Sequence, residues 1–334
     1  MTGFRNPKSD KKRENTPQID GETLLDRAIN YHARGDLANA EKHYREAIGF
    51  GLSNVALYSN LGVICKRSQR TEEAIALYKK AIQINPHYPD AYTNLGSLYK
   101  GLGNLDQALA STLKSLEIKP DEPTTLMNLG SIYLDLGNLD QALASTLKSL
   151  ELNPANPDAL INLGGIYKGL GNLDQALAST LKSIELKPDN PDVHMNLGGI
   201  YKDLGKLDRA LASTLKSIEL NPDNHTSHMN LGGIYKDLGN LDQALASTLK
   251  SIELKPDNPT AHMNLGITYE ILSELDSALQ SYTQSAKLIE QHKEESSLTS
   301  LINTSITLLQ MNRIDDAKKP YQTHWEYRLT RKYP

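Results

Sequence analysis

The chain has 334 residues, 39% of them apolar and 23% charged, with a net charge of −4. That balance lacks the concentrated basic face of a nucleic-acid binder, and no run approaches the roughly 20 apolar residues that cross a bilayer. A soluble protein with neither nucleic-acid binding nor membrane insertion is therefore expected.

Residues 1–20 scatter Arg5, Lys8, Lys11, Lys12 and Arg13 among polar residues and proline. With little to bury, they are expected to form a solvated, disordered tail. They also lack the apolar centre of a secretory signal. Cys65 is the single cysteine, which excludes an internal disulfide and a thiolate metal cluster. A cytoplasmic location is expected from these features together.

From residue 21 onward the sequence repeats every 34 residues. The run Leu-Ala-Ser-Thr-Leu-Lys-Ser begins at Leu109, Leu143, Leu177, Leu211 and Leu245. Eight units fall at 21–54, 55–88, 89–122, 123–156, 157–190, 191–224, 225–258 and 259–292. A polar insertion, Lys293 to Ser297, precedes a degenerate ninth unit at 298–331, and residues 293–334 are expected to close the array. Arg313, Asp315, Asp316, Lys318 and Lys319 suit the polar outer face of a terminal repeat. A fixed period of this length implies a solenoid, in which each unit buries its apolar face only against its neighbours.

The unit 157–190 shows the local logic. Asn156 can cap a first helix, and Pro157 fits a first turn where its missing N–H costs nothing. Leu160, Leu163, Gly164 and Tyr167 recur at helical spacing, and Gly171 supplies a left-handed stop. Asn172 with Gln175 reads as a capping box for a second helix. Leu173, Ala176, Leu177, Leu181 and Ile184 form its apolar stripe, and Pro188 closes the unit. Units 157–190 and 191–224 are identical at 27 of 34 positions, which points to recent internal duplication.

This pattern resembles the tetratricopeptide repeat. The family marks fall on Leu160, Leu163-Gly164, Tyr167, Ala176, Thr180, Ser183 and Pro188. One departure is systematic: the aromatic of the second helix is Thr112, Thr146, Thr180, Thr214 and Thr248 in the inner repeats. It remains Tyr44, Tyr78, Tyr282 and Tyr321 in the outer ones. The resemblance implies an all-α, right-handed superhelical solenoid of antiparallel helix pairs. It also implies that the first helices line a concave groove. The inner repeats are expected to pack around smaller side chains.

Three rows follow the period on the first helices. Asn60, Asn94, Asn128, Asn162, Asn196, Asn230 and Asn264 precede each Leu-Gly. The repeats of O-linked N-acetylglucosamine transferases carry a similar ladder that holds the backbone of an extended peptide. An amide can serve this role because it places a donor and an acceptor side by side. Local bonding within the repeat is the alternative. Met127, Met195, Met229 and Met263 lie one position earlier, and suit an adaptable surface as well as copying by duplication. Lys66, Lys100, Lys168, Lys202 and Lys236 form the third row and could receive an acidic peptide or a terminal carboxylate, although Asp135, Asp203 and Asp237 stand beside it.

His194, His228 and His262 recur one repeat apart, too far for a shared zinc with bonds of about 2 Å, so packing is expected. No phosphate loop, nucleophile elbow or metalloprotease motif occurs, and neither enzyme activity nor a cofactor or metal is expected. The segment Tyr321 to Arg328 holds the single tryptophan, Trp325. It reads as a capping helix, with weak similarity to the segment that follows such arrays in bacterial glycosyltransferases. The expected function is a non-catalytic scaffold binding an extended peptide or partner helix in the groove. The alternative is the substrate-recruiting part of, or partner to, a glycosyltransferase or similar modifying enzyme.

Overall fold

The computed structural model describes residues 20–292, and its regular structure is sixteen α-helices. The expected tail, the segment 293–334 and the reading of Trp325 lie outside the described residues. The chain divides after Asn138 into two compact units. The first holds α1 (Gly21–Ala33), α2 (Leu37–Gly49), α3 (Val55–Arg67), α4 (Thr71–Ile84), α5 (Pro89–Gly101), α6 (Leu105–Ile118) and α7 (Pro123–Asp135). The second holds α8 (Leu139–Leu152), α9 (Pro157–Gly169), α10 (Leu173–Leu186), α11 (Pro191–Asp203), α12 (Leu207–Leu220), α13 (His225–Asp237), α14 (Leu241–Leu254), α15 (Pro259–Ile271) and α16 (Leu275–His292).

Within each unit, successive helices pair through short turns, and each pair packs on the next. In the first unit α3, α5 and α7 also touch in sequence; in the second, α9, α11, α13 and α15 do. Each unit thus presents a continuous face built from its first helices.

The helix ends explain the regularity. Asn156 Oδ1 accepts hydrogen bonds from the N–H groups of Asp158 and Ala159, and Asn54, Asn190, Asn224 and Asn258 cap their helices in the same way. Such a cap contributes about 1 kcal/mol. The turn between paired helices works differently from expectation. Asn172 makes no side-chain cap bond, so the capping box is absent. Instead Gly171, at φ +77°, turns the chain so that the Asn172 N–H reaches the Tyr167 carbonyl at 2.8 Å. Gln69 and Ser273 take the same left-handed conformation without being glycine, at a cost of about 1–2 kcal/mol each.

The core runs between the paired helices. Ala159, Ile166, Ala176 and Thr180 are fully buried, with Leu160 and Leu163 nearly so. Gly198 is where the two helices of a pair approach most closely. A Cβ placed there would lie 2.2 Å from Thr214 Oγ1 and 3.3 Å from the Ala210 carbonyl oxygen. Gly62 meets the Tyr78 ring in the same way, at 2.6 Å. The buried serine three positions after each inner threonine ties the pair together. Ser183 Oγ donates to the Pro157 carbonyl at 2.9 Å and Ser217 Oγ to that of Pro191 at 2.8 Å, clipping the end of one helix to the start of the other.

The first repeat departs from this scheme on one side. Inner repeats carry apolar residues such as Leu163, Ile166 and Leu170 where α1 carries Arg27, Asn30 and Arg34. With Tyr31 and His43 these residues line an open cleft of about 320 Å³. The lining is polar, as suits the outer face of a terminal repeat.

Candidate functional site

The Asn row sits on the continuous face of first helices in each unit. Asn60, Asn94 and Asn128 lie on α3, α5 and α7, and Asn162, Asn196, Asn230 and Asn264 lie on α9, α11, α13 and α15. All seven side chains are partly exposed. Each is held by the buried Leu that follows it, which fixes the rotation of its helix. Asn60 Nδ2 donates to Tyr44 Oη of the preceding repeat at 3.2 Å. Asn162 is also engaged. The amides of Asn94, Asn128, Asn196, Asn230 and Asn264 make no side-chain hydrogen bond among the described residues. A short threonine helps explain this for Asn128, Asn196 and Asn230. Where Tyr44 extends a hydroxyl to Asn60, the equivalent residues are Thr112, Thr180 and Thr214, whose hydroxyls stay inside the pair. Thr180 Oγ1 donates to the Ala176 carbonyl at 2.8 Å, and Thr112 and Thr214 Oγ1 are buried without a partner.

The methionines lie at the joint between repeats rather than free on the surface. Asn224 Nδ2 points to Met195 Sδ at 4.0 Å, and Asn258 Nδ2 to Met229 Sδ at 3.8 Å. These sulfurs therefore rest against the cap of the next repeat's first helix. Met127 and Met263 are engaged as well.

The lysines form bridges from one repeat to the next. Lys66 Nζ donates to Ser97 Oγ at 2.9 Å, and burial lowers its pKa from the ordinary lysine value. Lys100 pairs with Asp135 at 3.1 Å, Lys168 with Asp203 at 3.3 Å, and Lys202 with Asp237 at 3.4 Å. Lys236 reaches only its own neighbour, Asp237, at 3.7 Å. Sequence reasoning placed Asp beside Lys but missed that each pair spans two repeats. The spacing of 35 residues within a 34-residue period was the available signal.

The histidines are spent on the backbone. His194 Nε2 donates to the Pro188 carbonyl at 2.7 Å, His228 to Pro222 at 2.9 Å and His262 to Pro256 at 2.9 Å. Each therefore links the start of a repeat to the end of the one before it. Among the described residues no cluster of His, Cys, Asp or Glu could hold a metal, and no helix is long and apolar enough to cross a membrane.

An ion-pair network joins the first two repeats. Arg45 meets Glu73 at 2.6 Å, and Arg70 meets Glu41 at 2.6 Å and Glu73 at 3.2 Å. The hydrogen bond from Arg70 holds Glu41 below the ordinary carboxylate range, and Arg45 does the same for Glu73. Cys65 is fully buried nearby, and its thiol is pushed up to about 11 by desolvation. A thiol so buried and so rarely ionised is no nucleophile.

Comparison with known proteins accords with this geometry. Models of the TPR repeat match residues 64–103, 130–171, 164–205 and 232–273, and models of the tetratricopeptide repeat match 21–46, 89–122 and 191–224. No curated protein matches the chain significantly. Among solved structures, the chain is similar to a tetratricopeptide repeat protein from Parabacteroides merdae, at 24% identity and TM-score 0.60, over 74% of this chain and 98% of that one. It is similar to the APC/C hetero-tetramer Cut9–Hcn1 at 16% identity and TM-score 0.68, over 86% of this chain and 56% of that one. A thermophilic TPR protein of Thermus thermophilus shares 26% identity at TM-score 0.50, over 54% of this chain and 98% of that one.

Proposed function

Because this chain belongs to the tetratricopeptide repeat family, we propose that it is a non-catalytic protein-interaction scaffold whose first-helix face binds an extended peptide segment. The observation that carries the reading is the row of partly exposed amides at Asn196, Asn230 and Asn264, each without a hydrogen bond among the described residues. An amide can donate to a peptide carbonyl and accept from a peptide N–H at once. One such group per repeat matches a ligand by its backbone, whatever side chains it bears. The alternative of local bonding holds at Asn60, where Tyr44 takes the amide. Met195 and Met229 then act as walls between successive amides, and the lysine bridges tie the repeats rather than stand ready for a ligand.

The test uses a randomised library of linear peptides to find a binder of the full chain. Substituting Asn196, Asn230 and Asn264 by Ala should weaken the selected peptide at least tenfold, at roughly 0.5–1.5 kcal/mol per lost bond. The melting temperature should barely change, because these side chains do not fill the core. Unchanged affinity would move the binding surface elsewhere.

A further inference from the structure

The lysine row of the second unit ends differently from how it runs. Lys168 passes over Gly199, where a Cβ would lie 2.9 Å from its nitrogen, and reaches Asp203 at 3.3 Å. Lys202 passes over Gly233, where a Cβ would lie 3.4 Å away, and reaches Asp237 at 3.4 Å. One step on, α15 carries Ile267 where the glycine would be and Ile271 where the aspartate would be. The path is filled and the carboxylate is missing. Lys236 turns back to Asp237 at 3.7 Å, so two ammonium groups share one carboxylate. Ile271 is left 53% exposed. A lysine that shares its carboxylate with a second lysine, beside an exposed isoleucine, distinguishes this rung from its neighbours.

We propose that a bound partner completes the rung. An Asp or Glu side chain of the bound segment occupies the place of the missing carboxylate and pairs with Lys236, while an adjacent apolar side chain of that segment packs on Ile267 and Ile271. The inference rests on the reading that an extended segment lies along the Asn row. The charge comes from a side chain and not from a chain end, because Asn230 and Asn264 stand on the two helices that flank the site, and a backbone engaging both runs past it. The Asn row accepts any sequence; this rung selects one that is acidic and apolar at adjacent positions.

The same randomised peptide library tests the proposal. Peptides selected on the full chain should be enriched in an Asp or Glu next to a Leu, Ile, Val or Phe. Lys236→Gln should weaken such a peptide by about threefold to fivefold, as expected for a partly exposed ion pair. The double variant Ile267→Gly with Ile271→Asp recreates the rung that the inner repeats already carry, so folding is retained. Selection on it should yield peptides without the acidic-apolar preference. Amidating the peptide C-terminus should leave binding unchanged; loss of binding on amidation would overturn the proposal by showing that the terminal carboxylate is read. Selected peptides that show no acidic-apolar preference yet depend on the Asn row would overturn it while the groove reading stands. A library yielding no binder would remove both.

Discussion

The outer repeats and the inner repeats of this chain solve one packing problem with two different residues. Where paired helices cross, a glycine faces a tyrosine in repeats 55–88 and 259–292, as Gly62 with Tyr78 and Gly266 with Tyr282. In the inner repeats it faces a threonine, as Gly96 with Thr112, Gly198 with Thr214 and Gly232 with Thr248. The larger residue fills the crossing and, in Tyr44 and Tyr282, sends its hydroxyl out to Asn60 and Glu270. The smaller one keeps a polar atom inside, without a partner at Thr112, Thr146 and Thr214. The difference teaches that a small residue, glycine here and Ala28 in the first repeat, is the constant of this crossing and that bulk opposite it is negotiable. It also bears on binding: Tyr44 takes the Asn60 amide, whereas Thr112, Thr180 and Thr214 leave the amides of Asn128, Asn196 and Asn230 without a side-chain hydrogen bond among the described residues.

The sharpest way to break the comparison is to exchange the residues. Tyr78→Thr should cost about 3–5 kcal/mol, because helices set for a ring would be left around a void. Urea denaturation measures it, and a cost below about 1 kcal/mol would mean that the crossing re-closes freely. Next in size, Gly198→Ala should cost about 1–3 kcal/mol by overpacking against Thr214 and the Ala210 carbonyl. The double variant Gly198→Ala with Thr214→Ala should recover most of that loss, since the nearest clashing atom is the hydroxyl. A double variant no better than the single one would place the strain in the backbone instead.

Smaller effects sharpen the contrast among the threonines themselves. Thr112→Val and Thr214→Val should each stabilise by about 1 kcal/mol, because a buried hydroxyl without a partner is removed. Thr180→Val should gain less, since its hydroxyl donates to the Ala176 carbonyl. Equal gains at all three positions in thermal melts would contradict the assignment. The smallest effect concerns acid. Glu41 and Glu73 have folded-state pKa values below their ordinary 4.5. Their contribution is therefore complete above 4.5 and is lost as pH falls through the lowered values. Part of the network is exposed, which limits it to about 1 kcal/mol. Amide protection factors in α3 and α4, from which the intrinsic pH dependence of exchange has been divided out, should fall at acid pH in the parent and change less in Arg70→Met.

The helix pairs were legible in the sequence because the local signals recur, with few exceptions, at the 34-residue period. Leu163, Gly164, Ala176 and Gly171 mark the core, the crossing and the turn, and the structure uses each accordingly. The second-helix cap was misread because Asn172 and Gln175 have the right identities. The left-handed Gly171 had already supplied that turn with a backbone bond. The His194 bond to Pro188 and the Lys168 bridge to Asp203 were not foreseen, because both cross a repeat boundary. A pattern read within one period does not show which residues meet across two. The interrupted rung at Lys236 is of the same kind, since it is defined by Ile267 and Ile271 of the next repeat.

The central claim is that the first-helix face of the inner repeats binds one ligand backbone, repeat by repeat. Deleting residues 191–224 tests it most directly, because that unit is identical to the preceding one at 27 of 34 positions and should leave a folded stack. Calorimetric affinity for a library-selected peptide spanning the second unit should fall by about threefold to tenfold, the worth of one rung, with cooperative melting intact. A folded deletion variant that binds the peptide as tightly as the parent would contradict the claim.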